Sequence, residues 1–127
     1  MKPIRVLLVD DSAVMRKMVE RSLRESGIAV GEVLEANDGW EALAVAREKS
    51  PDLILCDINM PTMDGLEFLR NLQGTEAAWK IPVVMVTTEG SEARVTEAMS
   101  AGARGYICKP FTAEQLKSKV LPLVEGQ

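Results

Sequence analysis

Asp52-Leu53-Ile54-Leu55-Cys56-Asp57-Ile58-Asn59-Met60-Pro61-Thr62-Met63-Asp64-Gly65 is the stretch that decides the fold. Its four consecutive apolar residues, 53–56, end abruptly in an acid. Such a run fits a strand covered on both faces, which is the situation of strands in a parallel sheet sandwiched between helices. After a loop containing Pro61 comes Asp64-Gly65-Leu66-Glu67, which resembles a capping box with Asp as the cap. Leu66, Leu69 and Leu72 then repeat every three residues, as one face of a helix does. The unit is strand, loop, helix.

The same unit recurs on either side. Upstream lie Ile4-Arg5-Val6-Leu7-Leu8-Val9 and 30–34, the second interrupted by Gly31 and Glu32. Downstream lie 81–86 and Tyr106-Ile107-Cys108. Helical spacing follows: Val14, Met18 and Leu23 in the first helix, Val95, Ala98 and Met99 in the fourth, Leu116 and Val120 in the fifth. Asp38-Gly39-Trp40-Glu41 and Thr112-Ala113-Glu114-Gln115 supply two further starts, and Gly27, Gly74 and Gly102 supply stops. Pro122 predicts that the last helix ends or kinks near Leu121, leaving 123–127 as a loose tail. Five strand-then-helix units in series define an α/β fold with a parallel sheet and right-handed crossovers.

The 127 residues suit one domain, 1–127, and no output domain is expected beyond the pattern. No apolar run reaches the roughly 20 residues that span a bilayer, and the start does not resemble a signal peptide, so a cytoplasmic protein is expected, with no membrane partner. A net charge of −4 argues against nucleic acid as a partner. The chain has no histidine, which excludes Ser-His-Asp and Cys-His catalysis and any role as a phosphohistidine carrier. Phosphoryl chemistry would need another nucleophile, and a carboxylate is the obvious one.

In an open parallel sheet, ligands bind beyond the carboxyl ends of the strands. There the sequence places Asp10 and Asp11 after the first run, Asp57 after the third, Thr87-Thr88-Glu89 at the fourth and Lys109-Pro110 after the fifth. One acid at a strand end is commonly only a helix cap. Three acids crowded together repel unless a cation neutralises them, and oxygen donors alone favour a hard ion such as Mg²⁺. Lys109 adds a mobile positive charge and Thr87 a hydroxyl, so the set can stabilise a transferring phosphoryl group with Asp57 attacking.

These residues, with the segments from Val6-Leu7-Leu8-Val9-Asp10-Asp11-Ser12 to Gly105-Tyr106-Ile107-Cys108-Lys109-Pro110-Phe111, resemble response-regulator receiver domains over essentially the whole chain. Among receivers the chain is similar to the stand-alone chemotaxis regulators. The resemblance implies a single flavodoxin-like (βα)5 domain with strand order 2-1-3-4-5 and helices on both faces. It implies Mg²⁺ held by Asp10, Asp11, Asp57 and the backbone carbonyl of Asn59, with Asp57 as phosphoacceptor and Thr87 and Lys109 on the phosphoryl oxygens. It further implies a cis Lys109-Pro110 bond, Tyr106 as the switch aromatic, and Asn59 and Glu89 as residues tuning phosphoryl lifetime.

The expected role is a two-component signalling switch rather than an enzyme acting on an external substrate. A histidine kinase would be the donor and a downstream protein the target, a flagellar motor switch being the first candidate, with a phosphatase as a further partner and the domain itself a monomer. A stand-alone phosphate relay or sink is the alternative within the family. A haloacid-dehalogenase-like phosphatase would place a second Asp two residues after the first, where this chain has Ser12. A nucleotide or flavin module would need a Gly-rich loop after the first strand, where this chain has Asp10-Asp11-Ser12-Ala13. A pseudo-receiver that binds partners without phosphorylation would not need the full set of site residues found here.

Several residues have plainer readings. Tyr106 could be an ordinary edge-strand aromatic, Met60 and Met63 loop packing, and Trp40 a cover for the second helix. Arg16, Lys17, Arg21 and Arg24 could form a docking face or a solvated one. Cys56 and Cys108 would lie on second-neighbour strands, roughly 9–10 Å apart at about 4.8 Å per step. That exceeds disulfide reach, so both read as small core residues.

Overall fold

The computed structural model describes residues 2–75, 80–88 and 90–125. Strands β1 (Ile4–Val9), β2 (Val30–Ala36), β3 (Leu53–Cys56), β4 (Val83–Thr87) and β5 (Gly105–Cys108) alternate with helices α1 (Ala13–Glu25), α2 (Gly39–Lys49), α3 (Gly65–Gln73), α4 (Glu92–Ser100) and α5 (Ala113–Val124). All strand pairings are parallel and the order is β2-β1-β3-β4-β5. The expected architecture is therefore the observed one.

Successive side chains of a strand point to opposite faces, so the central strands feed two cores. Leu7, Val9, Ile54, Cys56, Val83 and Met85 join Leu66, Phe68, Leu69 and Leu72 of α3 and Ala42, Leu43 and Ala46 of α2. On the other face Val6, Leu8, Leu53, Leu55, Val84 and Val86 meet Val19 and Leu23 of α1 and Leu116, Val120 and Val124 of α5. This is why β1, β3 and β4 read as nearly continuous apolar runs. β2, at the edge, is longer than its interrupted sequence suggests. It absorbs Gly31 as a register shift, since Ile4 pairs with Val30 and Arg5 with Glu32.

The caps fall where the sequence places them. Asp38, Asp64 and Thr112 accept from Glu41 N, Glu67 N and Gln115 N. Only Thr112 and Gln115 complete a reciprocal box. Glu41 reaches back instead to the amide of Asn37 at 3.0 Å. Ser12 and Ser91 cap α1 and α4. Gly27 and Gly102 follow their helices at φ of 89° and 112°, a region where glycine is favoured.

Four local expectations are corrected. Met99 of α4 is 45% exposed, and the buried residue of that helix is Ala98. α1 does not bury Val14 or Met18, which are 70% and 55% exposed; its inward residues are Val19 and Leu23. Cys108 is exposed rather than a core residue, because it lies at the end of edge strand β5 on the same, less covered face as the half-buried Tyr106, while Cys56 is buried as expected. Both thiols are free.

Finally, α5 does not stop at Leu121. It continues through Pro122 to Val124, which is fully buried. Proline removes one amide donor, but Pro122 is exposed in the last turn, and burial of Val124 beside the half-buried Leu121 and Leu123 holds that turn in place. Val124→Ala should accordingly cost about 2 kcal/mol from lost transfer energy and the cavity left behind. A urea titration checks this, and an unchanged midpoint would show that the last turn contributes nothing.

Candidate functional site

The carboxyl ends of β1, β3, β4 and β5 converge on one edge of the sheet. The ladder continues one step past the strands: Asp10 N donates to Ala36 O, Asp57 N to Val9 O and Lys109 N to Thr87 O, at 3.1, 2.9 and 2.9 Å. The positions of the site residues are thereby set by the sheet rather than by loop conformation.

Lys109 Nζ lies 2.9 Å from Asp10 Oδ2 and 3.3 Å from Asp57 Oδ2. These side chains are 9%, 8% and 14% exposed, so all three are withdrawn from bulk water yet reachable. The remaining oxygens are also occupied. Asp10 Oδ1 accepts the amide of Ser12 at 2.9 Å, and Asp57 Oδ1 accepts that of Ile58 at 2.7 Å. Two acids thus share one ammonium, the arrangement that makes such closeness tolerable. Burial alone would lower the pKa of Lys109, but its hydrogen bond to Asp10 and the negative charges of Asp57 and Asp10 outweigh that and hold it above its ordinary value.

Thr87, the last residue of β4, is fully buried. Tyr106 is half-buried in β5, paired in register with Met85 and packed against the α2–α3 core. Asn59 is exposed in the loop after β3, and Met60 and Met63 are half-buried against the core, which bears out their reading as loop packing. Trp40 is 66% exposed on α2. The Lys109–Pro110 bond is cis, as expected. Glu89 lies outside the described residues.

The loop from Asp57 to α3 is closed by its glycine. Gly65 N donates to Ile58 O at 2.8 Å, and a Cβ at this position would stand 2.1 Å from the carbonyl oxygen of Asp57. Cys56, next to Asp57, is a buried, protonated thiol at neutral pH rather than a thiolate. Burial first, then the charges of Asp57, Asp10 and Asp64, push its thiol pKa well up. Its Sγ donates to Asp57 O.

The structure brings together Asp10, Asp57 and Lys109, with Thr87 at the adjoining strand end. It leaves Asp11 exposed beside them. Among the described residues no three Asp, Glu, Cys or His side chains converge closely enough to hold a metal ion. The donors at this edge are all oxygens, two of them nearly enclosed carboxylates, which is the chemistry that suits a hard divalent ion. One residue was missed: Arg16, read only as part of a basic run, has its side chain 11% exposed and hydrogen-bonded to the carbonyl of Asp10. Its place one turn beyond Asp10-Asp11-Ser12 was the available signal.

A mostly apolar groove of about 270 Å³ leads to this edge between α1 and the loop after β5. Met15, Met18, Ser22, Thr88, Lys109, Pro110 and Phe111 are among the residues that line it.

A parallel sheet of this order with an acid pair and a lysine at its carboxyl edge is the framework of a receiver domain. The chain belongs to the response-regulator receiver family, whose domain model matches residues 6–121. Within that family it is of the CheY type. It is 39% identical to the chemotaxis protein CheY-3 of Vibrio cholerae over 98% of this chain and 94% of that protein. It is 38% identical to the chemotaxis protein CheY of Pseudomonas aeruginosa over 96% of this chain and 97% of that one. The crystal structure of Vibrio cholerae CheY4 superposes with a TM-score of 0.84 at 38% identity, covering 96% and 99% of the two chains. No helix among the described residues is long and apolar enough to cross a membrane.

Proposed function

We propose that this receiver is a phosphorylation-activated switch of a chemotaxis pathway, in which Asp57 accepts a phosphoryl group from a histidine kinase. The carrying observation is the pair of nearly enclosed carboxylates, Asp10 and Asp57, held against Lys109 at the sheet edge. A carboxylate oxygen of Asp57 attacks phosphorus, the phosphorus–nitrogen bond of the donor phosphohistidine breaks, and its electron pair leaves with the imidazole. The donor must be a partner, because this chain has no histidine. The groove that Lys109 helps to line supports an approach of that partner along α1.

Asp10, Asp11 and Asp57, with the backbone carbonyl of Asn59, would hold Mg²⁺, which supplies charge neutralisation for the phosphoryl oxygens. Lys109 turns from the carboxylates to the phosphoryl oxygens, and the Thr87 hydroxyl donates to another. Both contacts exist only in the phosphorylated state, so they are what shifts the conformational equilibrium. Tyr106, in β5 alongside β4, carries the change to the surface formed by α4, β5 and α5, where a downstream protein such as a flagellar motor component would bind. Asn59 and Glu89 would set the phosphoryl lifetime. A cytoplasmic location follows from this role.

Incubation with acetyl phosphate and Mg²⁺ should label the protein on Asp57, and excess chelator should reduce the rate at least about 100-fold, in keeping with the weight of a metal in charge stabilisation. Unchanged labelling in chelator would refute the metal site. Capture of a motor component by beryllofluoride-treated protein, and not by untreated protein, is the expected partner result.

A further inference from the structure

Arg16 is a tethered and nearly enclosed charge that the phosphoacceptor reading leaves without a task. It lies in the first turns of α1, yet its side chain is 11% exposed. Its Nη1 donates to the backbone carbonyl of Asp10 at 2.6 Å and to Oδ1 of Asn37 at 2.9 Å. Its Nε pairs with Oε1 of Glu35 at 2.8 Å. Asn37 is in turn held by Glu41 of α2 through its amide and its side chain. The guanidinium therefore joins the end of β1, the end of β2 and the start of α2. Its stem lines a small void of about 10 Å³ whose walls also include Asp10 and Asp57.

The peptide group that Arg16 grips is the one joining Asp10 to Asp11. A peptide unit is planar, so fixing its carbonyl fixes the direction in which the chain enters Asp11. Asp10 is already held through both carboxylate oxygens, by Ser12 N and Lys109 Nζ. Asp11 is exposed, and the grip on the peptide before it is what limits where its carboxylate can point. An arginine suits this task because its planar fork can hold three oxygens at once, which a lysine ammonium on a flexible stem does not do with fixed geometry.

We propose that Arg16 is a positioning residue of the phosphoacceptor site, setting the bearing of Asp10 and Asp11 toward a divalent cation by its grip on the peptide between them. This rests on the functional reading above. Groups that orient metal-binding residues typically contribute 10–100-fold in metal affinity. Arg16→Met, which keeps the aliphatic stem and removes the donors, should raise the half-saturating Mg²⁺ concentration about tenfold, read from backbone amide NMR shifts without any phosphodonor. Labelling by acetyl phosphate at saturating Mg²⁺ should stay within about threefold of the parent, whereas at low Mg²⁺ it should fall about tenfold.

Arg16→Lys keeps the charge without the fork and should remain close to Arg16→Met. Asn37→Ala, an exposed change that removes only one of the three acceptors, should shift Mg²⁺ binding about threefold in the same direction. A lowered melting temperature with an unmoved Mg²⁺ midpoint would overturn the proposal, as would full rescue by lysine. Failure of the parent protein to take label would instead count against the functional reading, and the amide titration would still judge Arg16.

Discussion

Asp57→Asn is expected to abolish phosphoryl uptake while the domain stays folded. The amide nitrogen or oxygen of asparagine is a poor nucleophile compared with a carboxylate oxygen, so labelling by acetyl phosphate should drop at least about 1000-fold, in line with other losses of an attacking group. The fold has little reason to suffer. Asp57 Oδ1 accepts from Ile58 N, and an asparagine oxygen can do the same. Lys109 loses one of two carboxylates but keeps Asp10 at 2.9 Å. A change of about 1 kcal/mol or less is expected, of the size of one partly enclosed polar contact. Radiolabelling and a thermal melt on the same preparation check both halves, and robust labelling of the variant would sink the assignment.

Gly65→Ala should have the largest effect on stability of any single methyl addition near the site. The new Cβ would lie 2.1 Å from Asp57 O and 2.9 Å from Ile58 Cα, and both obstacles are main chain. Neither can rotate away, so α3 must lift from the end of β3. The Gly65 N to Ile58 O hydrogen bond, at 2.8 Å, would then lengthen or break. Overpacking against rigid neighbours costs about 3 kcal/mol or more, a large share of the roughly 5–15 kcal/mol that holds a domain of this size. The melting temperature should fall by roughly 10 °C or more. Because the displaced atoms include the carbonyl of Asp57 itself, labelling should slow as well. A melt within a few degrees of the parent would show that the loop gives way easily.

The strands and the chemistry at their ends were readable because both follow from local signals, whereas the strand order came only with the resemblance to receivers. An apolar run too short for a helix and closed by an acid, as at 53–56, has few other interpretations. The acid then falls by necessity at the carboxyl edge. The phase of α1 was not readable in the same way. The spacing of Val14, Met18 and Leu23 suggests one stripe, and Val19 with Leu23 offers another turned slightly further round. Composition cannot choose between them, whereas the sheet does, by burying the second. Pro122 misled for a related reason: local stereochemistry argues for a stop, and burial of Val124 overrides it. Arg16 was hidden because a basic residue among others on a helix looks solvated. Its partners, Glu35 and Asn37, are brought to it only by β2 pairing with β1.

Lys109 also bears on how such a protein can be made. Its ammonium lies between Asp10 and Asp57, so a counterion for the two most crowded acids is supplied by the polypeptide itself. Domains whose acids or thiols are balanced only by an acquired ion fold when that ion arrives and come apart when it is withdrawn. Here the sheet edge is charge-balanced by the chain's own lysine. If Mg²⁺ is held as proposed above, the cell's supply of it would govern how quickly the protein responds to a stimulus, and not how much of it survives to respond.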